Sequence, residues 1–251
     1  PIEQLAEWGR QGVRLDATVN LSASPYHSNK FHTRLHVART ASNTLGHPFL
    51  LCNQVGGNDD LLFDGRSLVA WPSGEVVVAP SWAEGILLVD LENPMAARWI
   101  AMDESQGSIL HLAPKDVGLG ESNVMDELAD AVVLGLRDYC QKSGIKRIVL
   151  GLSGGIDSAV AACVAAEAMG AENVLGISMP SRFSSQHSID DALHTANALG
   201  MEYASIPIDQ HHDGLEQQLS EMLEQGASVA QENIQSRLRG ILVMAHANAL
   251  G

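Results

Sequence analysis

Residues 147–152 form a short, almost wholly apolar run that leads directly into Ser153-Gly154-Gly155-Ile156-Asp157-Ser158 and then into a helical stretch of small residues over 158–169. A strand without polar alternation, joined to a helix by a glycine turn, suits a parallel sheet buried on both faces rather than an antiparallel one with a wet face. The pattern then repeats. Strands are expected at 173–179 and 202–208 and a second helix at 189–199, with Ser188 as its N-cap and Gly170 and Gly200 where helix C-caps belong. Sheets of this type collect ligands beyond the carboxyl ends of their strands. The Ser153–Ser158 turn falls on that edge.

The turn carries two glycines, two hydroxyls and one carboxylate at a helix N-terminus. Backbone amides there can hold an anion, and glycine lets phosphate oxygens approach the main chain. The plainer reading is a tight strand-to-helix turn with Ser153 as a cap. The lysine and longer spacing of the Walker A loop are missing, so kinase or GTPase chemistry does not follow.

Upstream the grammar changes. Strands are expected at 17–21, 49–55, 67–71, 75–79 and 86–89 and a helix at 29–45, with Pro72-Ser73-Gly74 as the turn of a hairpin. Residues 92–122 mix Pro94, Gly107, Pro114, Gly118 and Gly120 with little periodicity and read as a connector. From Asn123 a helix is expected, because Val124, Leu128, Val132, Leu136 and Tyr139 share one face and Gly144 follows as a stop. Three segments result: 1–91, a connector over 92–122, and a second domain over 123–251.

With 45% hydrophobic residues there is enough apolar surface for two cores. The net charge of −15 argues against a nucleic-acid or anionic-membrane partner, though not against a nucleotide held by local amides. Cys52, Cys140 and Cys163 have no metal spacing and sit in apolar stretches, so they read as reduced core residues of a cytoplasmic protein.

The Ser153–Ser158 turn resembles the loop of the ATP-pyrophosphatase superfamily, whose fold is a parallel α/β sheet of the adenine nucleotide alpha hydrolase type. That resemblance implies ATP binding by Gly151, Leu152, Ser153, Gly154, Gly155, Ile156, Asp157 and Ser158, with Asp157 as magnesium ligand. Two further segments narrow the family. Gly176-Ile177-Ser178-Met179-Pro180-Ser181-Arg182-Phe183-Ser184-Ser185 and Glu232-Asn233-Ile234-Gln235-Ser236-Arg237-Leu238-Arg239-Gly240 resemble loops and a helix of glutamine-dependent NAD synthetases. The resemblance implies ATP contact for Arg182 and contact with nicotinic acid adenine dinucleotide for Asn233 and Arg237. By residue type alone, these three would equally suit a solvated loop and a polar helix face.

In the first half, Asn20-Leu21-Ser22-Ala23-Ser24-Pro25-Tyr26-His27, Asn53-Gln54-Val55-Gly56-Gly57 and Phe63-Asp64-Gly65 resemble the later part of a nitrilase-like α/β sandwich that serves as glutaminase in that family. Ser24 and Lys30 match its glutamine-binding positions. Alone, they would pass for a turn residue and an exposed helix start. The family's Glu-Lys-Cys triad is expected upstream of these residues, and Cys52, inside an apolar strand, is rejected as a nucleophile.

The resemblance implies an ATP-driven ligase of NAD biosynthesis. The carboxylate of nicotinic acid adenine dinucleotide is adenylated, then amidated by ammonia from glutamine, giving NAD, AMP, pyrophosphate and glutamate. Another ATP-pyrophosphatase amidotransferase, or a non-catalytic segment that keeps the fold, is the alternative. A homo-oligomer is expected. The chain starts at Pro1 in what reads as a helix and stops at Gly251 within another, so it reads as cut at both ends and unable to turn over alone.

Overall fold

A computed structural model describes residues 1–102, 109–111, 124–220 and 228–250. The chain divides into two compact units, Pro1–Asp138 and Tyr139–Gly251. In the first, α1 (Ile2–Arg10), β1 (Thr18–Ser22), α2 (Lys30–Leu45) and β2 (Phe49–Asn53) follow in order. Then come β3 (Val55–Asn58), β4 (Leu61–Asp64), β5 (Leu68–Ala70), β6 (Val76–Val78), β7 (Gly85–Leu88), β8 (Arg98–Ala101) and β9 (Ile109–His111). The helix α3 (Val124–Lys142) starts in the first unit and ends in the second.

The main sheet has strand order β1-β2-β5-β6. β1 and β2 are parallel with α2 as their crossover, and β5 and β6 are added antiparallel through the Pro72-Ser73-Gly74 hairpin. The two-residue period of a strand sends alternate side chains to opposite faces. Phe49 and Leu51 therefore join Leu35, Ala38 and Ala41 of α2 in one core, while Leu50 packs with Val69, Trp71 and Val77 on the other side.

The expected strand over 49–55 divides at Gln54. Its amide bonds Ser22 O and its carbonyl accepts from Gly65 N, after which the chain leaves the main sheet and pairs β3 with β4. Within residues 92–122, Arg98–Ala101 and Ile109–His111 are strands that extend from β7 in an antiparallel sheet. Residues 103–108 and 112–122 of that stretch lie outside the described residues.

The second unit is a three-stranded parallel sheet of β10 (Ile148–Gly151), β11 (Val174–Ser178) and β12 (Glu202–Ser205), in that order. Its crossovers are α4 (Ile156–Met169) and α5 (Gln186–Leu199), whose buried residues are alanines: Ala162, Ala165 and Ala168, and Ala192 and Ala196. Small side chains let the helices lie close to the strands. Beyond α6 (Asp209–Gln218), the long α7 (Ser228–Leu250) packs Leu242 and Val243 on the cluster of Leu175, Ile177, Met179 and Ile208.

Three expectations are corrected. The N-cap of α5 is Ser185, whose side chain accepts from Ser188 N, so the helix starts one turn early. Cys52 and Cys163 are exposed. Only Cys140 is buried, and burial pushes its thiol pKa up. Finally, Val124, Leu128, Val132 and Tyr139 of α3 are exposed, while Ala131 and Cys140 are its buried residues.

The first unit encloses an ion pair. Arg34 of α2, 5% exposed, bonds Asp64, 0% exposed, through both carboxylate oxygens at 2.5 Å, and its other arm reaches Gly65 O at 3.1 Å. Arg66 sits 3.9 Å from Asp64 and pairs with Glu127 of α3. Removing one member of a buried pair leaves the other charge uncompensated. Asp64→Asn should therefore destabilise the chain by about 3–5 kcal/mol, read as a lower urea midpoint, whereas a change below about 1 kcal/mol would show that Arg34 finds water instead.

Candidate functional site

The turn after β10 is held from both sides. Leu152 N bonds Ile177 O at 2.8 Å, which fixes the exit of β10 to β11. Within the turn, Ser158 Oγ donates to Gly155 O at 2.8 Å and accepts from Ser153 N at 3.2 Å, and Gly155 N donates to Ser153 Oγ at 3.2 Å. Both hydroxyls are thus spent on the shape of the turn. The N-cap of α4 is Gly155, so no capping side chain serves the first-turn amides. Ile156 and Asp157 lie exposed at that helix end. Open first-turn amides at the positive end of a helix dipole are an anion site.

Gly154 is required by geometry. Its φ is +78°, and a Cβ there would stand 2.1 Å from Ser188 O and 2.7 Å from Ser188 Cα. The loop backbone runs directly against the first turn of α5. No other residue type allows that approach.

Beside the turn is a cavity of about 560 Å³, lined by Gly151, Leu152 and Ser153 from the β10 end, by Ser178, Met179, Pro180 and Ser184 from the β11 end, by Ser188 and Ile189, and by Arg239, Gly240, Val243 and Met244 of α7. It lies where a doubly wound sheet offers its binding crevice. Arg239 is the one charged residue among these linings. Its Nε donates to Met179 O at 3.2 Å, and Gln235 Oε1, 3.5 Å from Arg239, also accepts from Ser181 Oγ at 3.2 Å.

Of the residues expected to bind ATP, Gly151, Leu152 and Ser153 line this cavity, and Gly154 to Ser158 continue from it into the start of α4. Arg182 points elsewhere. Its guanidinium bonds Asp213 at 2.6 Å and Glu216 at 2.7 Å on α6, and its amide bonds Asp209. The bond to Glu216 raises its pKa further. His212, Asp213 and Glu216 come within 4.8 Å of one another, but Arg182 already supplies their cation.

Asn233 and Arg237 are exposed on α7, away from the cavity lining. Gln235 and Arg239 went unassigned in the sequence, although their phase marks them. Residues 235 and 239 share a helical phase with the half-buried pair Leu242 and Val243, whereas 233 and 237 fall about half a turn away.

In the first unit, Ser24 and Lys30 are half-buried, Ser24 in the loop after β1 and Lys30 at the first position of α2. Ser24 N donates to Asn53 Oδ1 at 2.9 Å, and Tyr26 N donates to Leu62 O at 2.7 Å. Burial, followed by the charge of Glu127, raises the Tyr26 phenol. Cys52 lines a second cavity, of about 550 Å³, with Asn53, Arg66, Ser67 and Glu84.

This combination defines a crevice at the carboxyl edge of a parallel α/β sheet in one unit and a mixed α/β sheet in the other. Residues 2–101 match the carbon-nitrogen hydrolase family and residues 128–251 the NAD synthase family. Over most of its length the chain is similar to glutamine-dependent NAD(+) synthetases. It is 41% identical over 243 residues to the glutamine-dependent NAD(+) synthetase of Synechocystis, and 42% over 232 residues to that of Rhodobacter capsulatus. Those matches cover 96% and 92% of this chain, but 41% and 40% of the relatives, so the chain spans about two fifths of their length. The structure of the Acinetobacter baumannii glutamine-dependent synthetase in complex with adenosine diphosphate superposes with a TM-score of 0.81 at 31% identity, over 100% of this chain and 44% of that one.

The two loop glycines should respond differently to a methyl group. Gly154→Ala combines positive φ with a backbone clash and should cost about 1–3 kcal/mol. Gly155→Ala has ordinary φ, −88°, and meets only Ser153 Oγ at 3.3 Å. It should cost less than about 1 kcal/mol. Urea unfolding of both variants checks the order, and equal losses would mean that the loop does not depend on contact with α5.

Proposed function

We propose that the chain is part of a glutamine-dependent NAD synthetase, with 1–91 in the glutaminase, 92–122 connecting and 123–251 in the synthetase. The reaction joins ammonia to nicotinic acid adenine dinucleotide at the expense of ATP, yielding NAD, AMP and pyrophosphate, with glutamine as ammonia source and glutamate as its product. The observation that carries this reading is the Ser153–Ser158 turn at the carboxyl edge of β10, with open amides beside a 560 Å³ cavity.

A carboxylate is a poor acyl donor, and adenylation gives it a leaving group. The first-turn amides of α4 would hold the pyrophosphate as charge develops on it, and fixed donors of that kind need no reorganisation during the reaction. Asp157, exposed in the same turn, suits magnesium, which favours one carboxylate together with phosphate oxygens. When bound, that ion would neutralise phosphate charge. Arg182 would exchange Asp213 and Glu216 for the nucleotide, and Asn233 and Arg237 would meet the dinucleotide acid. Ser24 and Lys30 would hold glutamine. Ammonia reacts as the neutral base, so passage inside one protein keeps it from being protonated in water. A cytoplasmic homo-oligomer without nucleic-acid or membrane partners completes the reading, and among the described residues no helix is long and apolar enough to cross a membrane.

Two experiments test it. In calorimetric titrations of the chain with ATP, magnesium should strengthen binding, and Asp157→Asn should abolish that dependence. The same magnesium effect in the variant would remove Asp157 from the site. For the reaction, residues 1–251 can replace the matching segment of the Synechocystis relative. With free ammonia, nicotinic acid adenine dinucleotide should trigger AMP and pyrophosphate release while xanthosine monophosphate should not. Asn233→Ala should weaken the dinucleotide by on the order of 1–3 kcal/mol and ATP far less. Release of ADP and phosphate, or activity with xanthosine monophosphate, would contradict the assignment.

A further inference from the structure

Two networks in the first unit meet at one carbonyl, Gly65 O. From one side Asn53, 7% exposed at the end of β2, donates Nδ2 to Gly65 O at 3.0 Å and approaches Ser24 O at 3.5 Å, while its Oδ1 accepts from Ser24 N at 2.9 Å. The amide orientation follows from these neighbours, since an N–H faces the oxygen and two carbonyls face the nitrogen. The Asn53 main chain is itself tied to Ser67, whose Oγ accepts from Asn53 N at 3.0 Å. From the other side Arg34 donates to the same Gly65 O at 3.1 Å while clamped to Asp64. Arg34 lies one turn along α2 from Lys30.

Ser24 and Lys30 are thus both referenced to Gly65 O, Ser24 through Asn53 and Lys30 through the helix that Arg34 anchors. We propose that Asn53 is a positioning residue of the glutamine subsite, setting the main chain of Ser24 relative to Lys30 without touching glutamine itself. The proposal rests on the reading that Ser24 and Lys30 bind glutamine. A leucine would leave Ser24 N without its acceptor, whereas an aspartate would keep an acceptor for Ser24 N and give up only the donor to Gly65 O. Gly65 O retains Arg34 as donor in either case, so the loss with leucine falls on the Ser24 loop and not on α2.

The test uses the 251-residue chain with L-glutamine as probe, reading amide hydrogen exchange and a titration of the Ser24 and Lys30 resonances. Asn53→Ala should speed exchange of the Ser24 amide and weaken glutamine on the order of tenfold. The amides of Thr18 and Gln54, which bond Pro48 O and Ser22 O, should stay as slow as in the parent. Asn53→Asp keeps an acceptor and should hold the Ser24 amide slow and glutamine affinity within about threefold. That variant also serves if the alanine variant does not fold. Ser24→Ala and Lys30→Ala should weaken glutamine without changing Thr18 exchange. If both of these weaken glutamine while Asn53→Ala leaves affinity unchanged, or Asn53→Asp loses affinity with the Ser24 amide still slow, Asn53 does not position the subsite. If Ser24→Ala and Lys30→Ala bind like the parent, or the parent shows no saturable shift, the glutamine reading of the loop fails and the proposal falls with it.

Discussion

The second unit depends on one close approach, that of the Gly154 main chain against Ser188 at the start of α5. A parallel strand must hand the chain to a helix that runs back along the sheet, and the following crossover helix starts beside it. With a Cβ at position 154 the two helix starts would have to separate. Without one, the turn closes tightly enough for Ser153 and Ser158 to satisfy each other, and the first-turn amides of α4 remain for a ligand. The local shape therefore comes before the chemistry: serines build the turn, a glycine admits it, and main-chain donors are left over. On this account a chain of net charge −15 would still suit a polyphosphate, because the donors are fixed dipoles and not a basic surface.

The first unit is organised by polar groups buried among apolar ones. Asp64 is fully buried and Arg34 nearly so, and neither would be tolerated alone. Their pairing fixes the side of α2 that faces β2 and β5, and Gly65 O joins this pair to Asn53 and the Ser24 loop. Arg66 and Glu127 extend the same network to the start of α3, and Gly57 N bonds Asp138 at 2.7 Å further along that helix.

The order of strands and helices was legible because each element announces itself through its own residues. The apolar runs 148–151 and 174–178, the Pro72-Ser73-Gly74 turn and the alanine-rich α4 need no partner to be recognised. What escaped depended on tertiary partners. Strand β4 has four residues and is a strand only because β3 pairs with it. The cap of α5 is Ser185 and not Ser188, because Ser185 Oγ accepts from Ser188 N and the helix starts before Ser188. Cys52 read as core by its neighbours, yet period two along β2 turns it to the face opposite Leu51 and Asn53. At the candidate site the loop was readable from composition, whereas Arg239 emerged only once α7 was placed on β11, and the engagement of Arg182 by α6 has no local sign at all.

The central claim is that main-chain donors of the Ser153–Ser158 turn hold phosphate oxygens. The most direct measurement is a pyrophosphate titration of the isotope-labelled chain, followed through its backbone amide resonances. The account predicts saturable shifts at Ile156, Asp157 and Ser158, reduced in Gly154→Ala, with the Ser24 and Lys30 amides unmoved. Shifts confined to surface lysines and arginines, or turn amides that stay still at saturating pyrophosphate, would contradict it.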